Sequence, residues 1–367
     1  MEGLPIKYVV ATLGFVLGAA FGATAQRTNF CTMGAISDIV FMQDWNRFRA
    51  WMLAIAVAVL GSQGLHLMGM IDLNKSIYLT TNFGWAGAIV GGLLFGFGMT
   101  MTGGCGNKTL VRLGAGNLKS LVVAIVLGIF AYMTLRGLIG LGRVQMESAL
   151  NTNLATAKLA AQGVPDMLAK LSGAALPTVR AVAALAVAGG LLWFCFKSAE
   201  FRGSGTNMAS GLILGVLVVV GWAITGIVGK DEFDPTPLAS VTFVAPVGEG
   251  VQYLMTFTGA TINFGIATVG GVIVGSFLMA KATGEFRLES FADANDLLRH
   301  LIGGAIMGIG GVMALGCTIG QGMTGMSTLA MGSFLALGSI VLGGVIGMKY
   351  LEEGTLSGAL KAVFARG

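Results

Sequence analysis

Hydrophobic positions in this chain run in long unbroken blocks, without the alternation of a half-buried strand or the three-four spacing of a soluble amphipathic helix. Eight stretches carry no Asp, Glu, Lys or Arg: 8–26, 50–71, 83–107, 120–135, 181–196, 203–229, 251–280 and 301–348. About 20 apolar residues carry a helix across the hydrocarbon layer. The last stretch therefore accommodates two passes with a break at Cys317. The pattern predicts about nine crossings, at 8–26, 48–70, 83–102, 119–139, 179–197, 208–228, 262–280, 299–315 and 329–348. The 120–135 run is short, and reaches Gly140 when the Arg136 side chain extends its charge to the interface.

Glycine-rich breaks interrupt these blocks at 27–40, 102–114, 255–266 and 316–328, each read as a half-length re-entrant helix. Irregular backbone at membrane depth is tolerated only where protein buries it or where it lines a cavity. Two of the breaks repeat. A shift of 212 residues carries Cys105 onto Cys317 and superposes Gly91, Gly92, Gly96, Gly98, Met101 and Gly104 on Gly303, Gly304, Gly308, Gly310, Met313 and Gly316. Five crossings separate the two cysteine loops, which places them on opposite faces. The repeat is then inverted, as in transporters whose substrate site lies near the midplane. A fainter echo aligns Asn29-Phe30 with Asn263-Phe264, so that Gly265 stands where the first half has Cys31. The expected organisation is a first membrane repeat over 1–140, a polar connector with surface helices over 141–178, and a second repeat with a short tail over 179–367. The first span carries a Gly14, Gly18, Gly22 stripe suited to helix packing, and it reads as a membrane helix and not as a cleavable signal.

Composition fixes the class. The chain is 55% hydrophobic and 11% charged, against roughly 25% charged in soluble domains, so it is expected to be an all-α integral membrane protein. The net charge of +5 sits in loops and offers no nucleic-acid surface. With the N-terminus outside, 14 of the 22 Lys and Arg residues fall inside, among them Arg27, Arg47, Arg112, Lys281 and Arg366. Positive loops face the cytoplasm, which favours N-out and C-in. No extramembrane segment is large enough for an enzyme domain, and no catalytic residue is assigned.

The four cysteines, at 31, 105, 195 and 317, form no C-x-x-C pair and have no neighbouring histidine, so neither a metal site nor a cofactor is expected. His66 reads as a satisfied interior residue, and Cys195, in an apolar run, as packing. Cys31, Cys105 and Cys317 differ because each sits at a glycine-rich break where a short helix starts. A helix start offers unpaired N–H groups and partial positive charge to an anion, and a thiol adds a weak S–H donor on a polarisable sulfur. Asn29, Thr32, Asn107, Thr318 and Gln321 are neutral polar neighbours, while Arg27, Lys108 and Arg112 are placed to attract anions at a mouth. Weak binding at several successive points is what permeation requires. The residues leave open a carrier for other soft species (a selenium compound, sulfide, persulfide or a soft metal ion) or a thiol–disulfide membrane enzyme.

Arg-Thr-Asn-Phe-Cys-Thr-Met-Gly (27–34), Gly-Gly-Leu-Leu-Phe-Gly-Phe-Gly-Met-Thr-Met-Thr-Gly-Gly-Cys (91–105), 275–287 and 303–322 together resemble the YeeE/YedE membrane proteins, in particular their thiosulfate-uptake branch. The resemblance implies an hourglass-shaped importer of thiosulfate in the bacterial inner membrane, with Cys31, Cys105 and Cys317 relaying the ion through S–H···S contacts. It also implies a cytoplasmic sulfur-carrier partner of the TusA type, expected here as a separate protein. After Cys105 this chain reads Gly-Asn-Lys-Thr-Leu-Val-Arg, where the familiar pattern has a small residue, Thr-Gly and an aromatic. Lys108 is therefore a departure beside a thiol.

Overall fold

A computed structural model describes residues 5–157, 159–231 and 235–364; Lys158 of the connector and Arg366 of the basic set lie outside them. The chain is almost entirely helical. α1 (Ile6–Thr28) ends at a break, followed by α2 (Thr32–Ser37), which runs on as a π turn to Met42, and by α3 (Asn46–Leu67). α4 (Trp85–Met101), a short α5 (Gly106–Gly114) and α6 (Leu118–Arg136) complete the first series. α7 (Leu138–Leu150) and α8 (Val164–Ser172) follow, with a two-residue antiparallel ladder, Asn82–Phe83 on Thr152–Asn153, pinning the intervening loop. Then come α9 (Leu176–Phe196), α10 (Ala199–Gly203) and α11 (Gly205–Ala223), the last extended by a π turn to Val228. α12 (Val244–Met255), α13 (Phe264–Ala282) and α14 (Ala294–Met313) precede a helical stretch at 318–327 that is mostly π. α15 (Met331–Glu353) and α16 (Leu356–Phe364) close the chain.

Among the described residues, eight helices are long and apolar enough to cross a membrane. α14 is not one of the eight; Asp296 and Arg299 stand in its first turns and its length is laid along α4 and α6. The protein is an all-α, multi-pass membrane protein. Helix starts follow from local chemistry: Asn117, Asn263 and Asp293 accept backbone N–H bonds at the heads of α6, α13 and α14. Pro165 and Pro177 stand in the first turns of α8 and α9, where no N–H is missed. Outward faces stay apolar, as at Val16, Ile129, Leu185 and Leu278.

Packing partners are exchanged between the two series. α1 lies on α13 while α3 lies on α11, and α4 crosses α14 at the centre. A Cβ on Gly91 would come within 2.6 Å of the Gly310 carbonyl oxygen, and one on Gly310 within 2.6 Å of that of Gly91. Gly98 and Gly303 meet in the same way. Shift-equivalent glycines thus cross-pair, which is the relation a two-fold axis imposes. The Gly14, Gly18, Gly22 stripe packs on Phe264, Thr268 and Val272 of α13.

One expectation is corrected. The short helix of the second half is α12, at 244–255, and not a segment at 255–266. Asn263 caps a 19-residue spanning helix, so its place in the order of elements is the start of α3 and not the Cys31 break. By element order and packing, the residue matching Cys31 at a helix N-cap is Phe243, not Gly265. The uncharged 251–280 run conceals the interruption between α12 and α13.

Candidate anion-permeation site

Three short helices begin at the three cysteines singled out from the sequence. Cys31 is the N-cap of α2, with extended backbone, and its sulfur accepts the Gly34 N–H at 3.4 Å. Cys317 caps the 318–327 stretch in the same register, accepting the Gly320 N–H at 3.4 Å. Cys105 is the N-cap of α5, yet its sulfur makes no cap bond. Helix N-caps are normally oxygen acceptors; a thiolated cap leaves the N–H groups weakly satisfied and keeps their partial positive charge available. Tight reversals bring each thiol into place. Gly103 (φ 70°) precedes Cys105, and Leu315 (φ 57°) and Gly316 (φ 155°) precede Cys317. Asn29 (φ 51°) does so for Cys31, a conformation Asn tolerates better than most residues.

The thiols form a series. Cys31 lies within electrostatic reach of Cys105, Cys105 within reach of Cys317, and Cys317 within reach of Tyr78. Cys105 and Cys317 are fully buried and Cys31 is 5% exposed. All four cysteines are free. Lys108 borders a vestibule of about 430 Å³, walled also by Arg112, Lys119, Arg287 and Arg299 together with Glu285 and Glu289. Tyr78 lines a separate small cleft of about 20 Å³ together with Gln162, Gln321 and Ser333, which is room for one water.

Polar groups beside the thiols are buried without partners. Both side-chain atoms of Asn107 and the hydroxyl of Thr32 make no hydrogen bond among the described residues, whereas the Thr318 hydroxyl bonds the Cys105 sulfur; all three residues are buried. Buried polar atoms are ordinarily satisfied. Asn107 and Thr32, each within two residues of a cysteine, leave polar atoms free to meet a ligand, as do several buried polar atoms elsewhere among the described residues.

The other residues expected at the site divide. Lys108 is buried and donates to Asn29 Oδ1 at 2.5 Å, while Arg112 donates to the Gly103 carbonyl at 2.9 Å and so braces the loop before Cys105. Gln321 is held at both ends: its amide donates to the Ala314 carbonyl and its Oε1 accepts from Ser333 Oγ. It shapes the loop before Cys317. Arg27 is exposed at the end of α1 and is not among the vestibule-lining residues. Sequence reasoning missed Arg47, which pairs with buried Asp38 at 2.9 Å and lines a small cavity with Cys31 and Trp51. Its signal was present, since Arg47 follows the first break and Asp38 is the lone carboxylate there.

A family model described as sulphur transport matches residues 27–346. The chain belongs to the sulphur-transport family. This sulphur-transport protein is 28% identical over 337 residues to a protein of Escherichia coli K12 named thiosulfate transporter TsuA, covering 86% of this chain and 88% of that one. A thiosulfate transporter TsuA of Spirochaeta thermophila is 26% identical over 334 residues, covering 86% and 91%. A probable transporter YedE of E. coli K12 matches at 28% over 102 residues, 27% of this chain and 23% of that one. Cys31, Cys105 and Cys317 all fall within the span matched by the family model.

Two groups stand apart from the site. Cys195 donates to the Arg49 carbonyl at 3.2 Å between α9 and α3, a packing role. Both His66 ring nitrogens have partners: Nε2 accepts from Arg180, which leaves Nδ1–H to donate to the Ile71 carbonyl. Among the described residues no group of three or more His, Cys, Asp or Glu side chains is arranged to hold a metal.

Proposed function

We propose that the protein imports thiosulfate across a bacterial inner membrane, passing it along Cys317, Cys105 and Cys31. The observation that carries this reading is the series of free, buried thiols at helix N-caps, two of them with unpartnered polar side chains close by, Thr32 beside Cys31 and Asn107 two residues after Cys105. Thiosulfate has a soft terminal sulfur for the thiols and a charge that suits helix N-termini. Cys105, with no cap bond of its own, is the thiol freest to donate an S–H···S contact midway. Relatives named thiosulfate transporters, matched over most of both chains, support the substrate.

The direction follows from charge. The vestibule holding Lys108, Arg112, Lys119, Arg287 and Arg299 is assigned to the cytoplasmic face, which gives N-out and C-in. The cross-paired glycines support two inverted repeats, 1–140 and 179–367, around the 141–178 connector. At the vestibule a TusA-type sulfur carrier would collect the ion, and lipid surrounds the apolar outer faces.

The test is uptake of radiolabelled thiosulfate by cells that depend on it as sole sulfur source. Cys31→Ala, Cys105→Ala and Cys317→Ala each abolish or sharply reduce uptake, and Cys195→Ala does not. Equal uptake in all four, at equal membrane abundance, removes the thiol series as the path.

A further inference from the structure

Lys108 is a buried ammonium lacking an anion. Its residue is 9% exposed, its Nζ bonds the neutral Asn29 Oδ1, and no ion pair engages it among the described residues. The other cations near it have partners: Arg47 faces Asp38, Arg112 holds the Gly103 carbonyl, and Lys119 pairs with Asp296. An amide oxygen returns less than the burial of a full charge costs, so the local charge is one anion short. Asn107, the preceding residue, is fully buried with both side-chain polar atoms unpartnered. Both residues lie in the first turn of the nine-residue α5, whose N-terminal dipole favours negative charge. The position is a junction, because Lys108 lines the vestibule while Cys31 and Cys105 remain within reach of its charge.

We infer that Lys108, oriented by Asn29 and flanked by Asn107, is an oxyanion subsite that sets substrate class. It receives the oxygen-bearing end of a sulfur oxyanion dianion while Cys31 and Cys105 hold the terminal sulfur. The inference rests on the transport reading for the role of the thiols. Two-ended recognition admits an ion that has both a soft sulfur and a charged oxygen face, and disfavours hydrosulfide, which has no oxygen to offer the ammonium. Asn29 serves as the stand-in acceptor when the ion is absent, so each arrival exchanges an amide oxygen for a charged one.

Inorganic sulfate tests the subsite separately from the thiols, since it has the oxygen face and the charge but no terminal sulfur. Its binding to purified, detergent-solubilised protein is measured by calorimetry for wild type, Lys108→Gln, Lys108→Arg and Cys195→Ala. Losing a charge-assisted hydrogen bond weakens binding by about tenfold or more, so Lys108→Gln raises the sulfate Kd by at least that factor. Lys108→Arg, which keeps the charge in a bulkier fork, retains more of the affinity than Lys108→Gln, and Cys195→Ala stays close to wild type. Lys108→Gln also raises the KM for thiosulfate uptake in proteoliposomes, and sulfate inhibits wild-type uptake competitively. Sulfate binding that is absent from wild type, or unchanged in a monodisperse Lys108→Gln protein, overturns the subsite. If sulfate binds through Lys108 but wild type carries no thiosulfate, the transport reading fails and the subsite stands. Thiol-dependent uptake with sulfate indifferent to Lys108 gives the converse.

Discussion

Gly91 and Gly310 lie backbone against backbone where α4 crosses α14, and their shift-equivalents Gly303 and Gly98 lie against each other further along the same crossing. The four positions leave no room for a side chain, and the two cysteine loops hang directly from these helices. Gly91→Leu or Gly310→Val is expected to destabilise the protein by at least about 1–3 kcal/mol through overpacking. Thermal unfolding in detergent measures it. Gly189→Ala, on α9 where a Cβ meets nothing within 4 Å, is the contrast; it should be neutral or stabilising by up to about 1 kcal/mol.

Asn107 separates binding from stability. Its two polar atoms are buried and unsatisfied, a condition that costs about 1–3 kcal/mol per group. Asn107→Leu should therefore hold or raise the unfolding temperature while lowering thiosulfate uptake. A variant that loses stability and activity together would show Asn107 to be a packing residue instead.

Thiol exposure orders reactivity. Cys31 is 5% exposed and lines a small cavity with Arg47 and Trp51, whereas Cys105 and Cys317 are fully buried. A small charged methanethiosulfonate reagent should modify Cys31 first in everted vesicles, with thiosulfate protecting it. Mass spectrometry of cysteine peptides over time reads the order, and earlier labelling of Cys317 would place the open mouth on the other side.

Arg180 and Asp166 form a buried ion pair at 3.4 Å, with Arg180 also held by Asn74 and His66. This cluster ties α9 and α8 to the end of α3, away from the thiols. Breaking a buried pair from one side typically costs about 3–5 kcal/mol. Arg180→Met is expected to lose stability of that order while uptake per folded molecule is unchanged, as measured by thermal unfolding and by uptake normalised to monodisperse protein.

The spanning helices were legible because uninterrupted apolar runs have few other uses, and the first-half break was legible because Arg27, Asn29 and Asp38 punctuate it. The second-half break was not. Between α12 and α13 the chain reads Thr-Phe-Thr-Gly-Ala-Thr-Ile-Asn, with no charge to mark that it leaves one helix and starts another. The cap of α12 is Phe243, which lacks any polar signature. Gln321 read as a donor facing the path, and residue type alone does not reveal that Ala314 and Ser333 occupy both ends of its amide. Lys108 was legible as a charge beside a thiol; that it has only Asn29 for company depends on a contact spanning 79 residues.

Cys31, Cys105 and Cys317 stand at helix starts, and for the proposed transport this decides the kind of sieve they form. A filter lined by the flanks of helices owes its bore to side-chain rotamers, and it widens or narrows as they turn. On the proposed thiol route the aperture is set by where three short helices begin, and those beginnings are anchored by backbone reversals at Asn29, Gly103 and Leu315. Such an opening has a nearly fixed diameter. Selection then falls to chemistry at the rim, and any wider passage requires a whole short helix to shift along its axis.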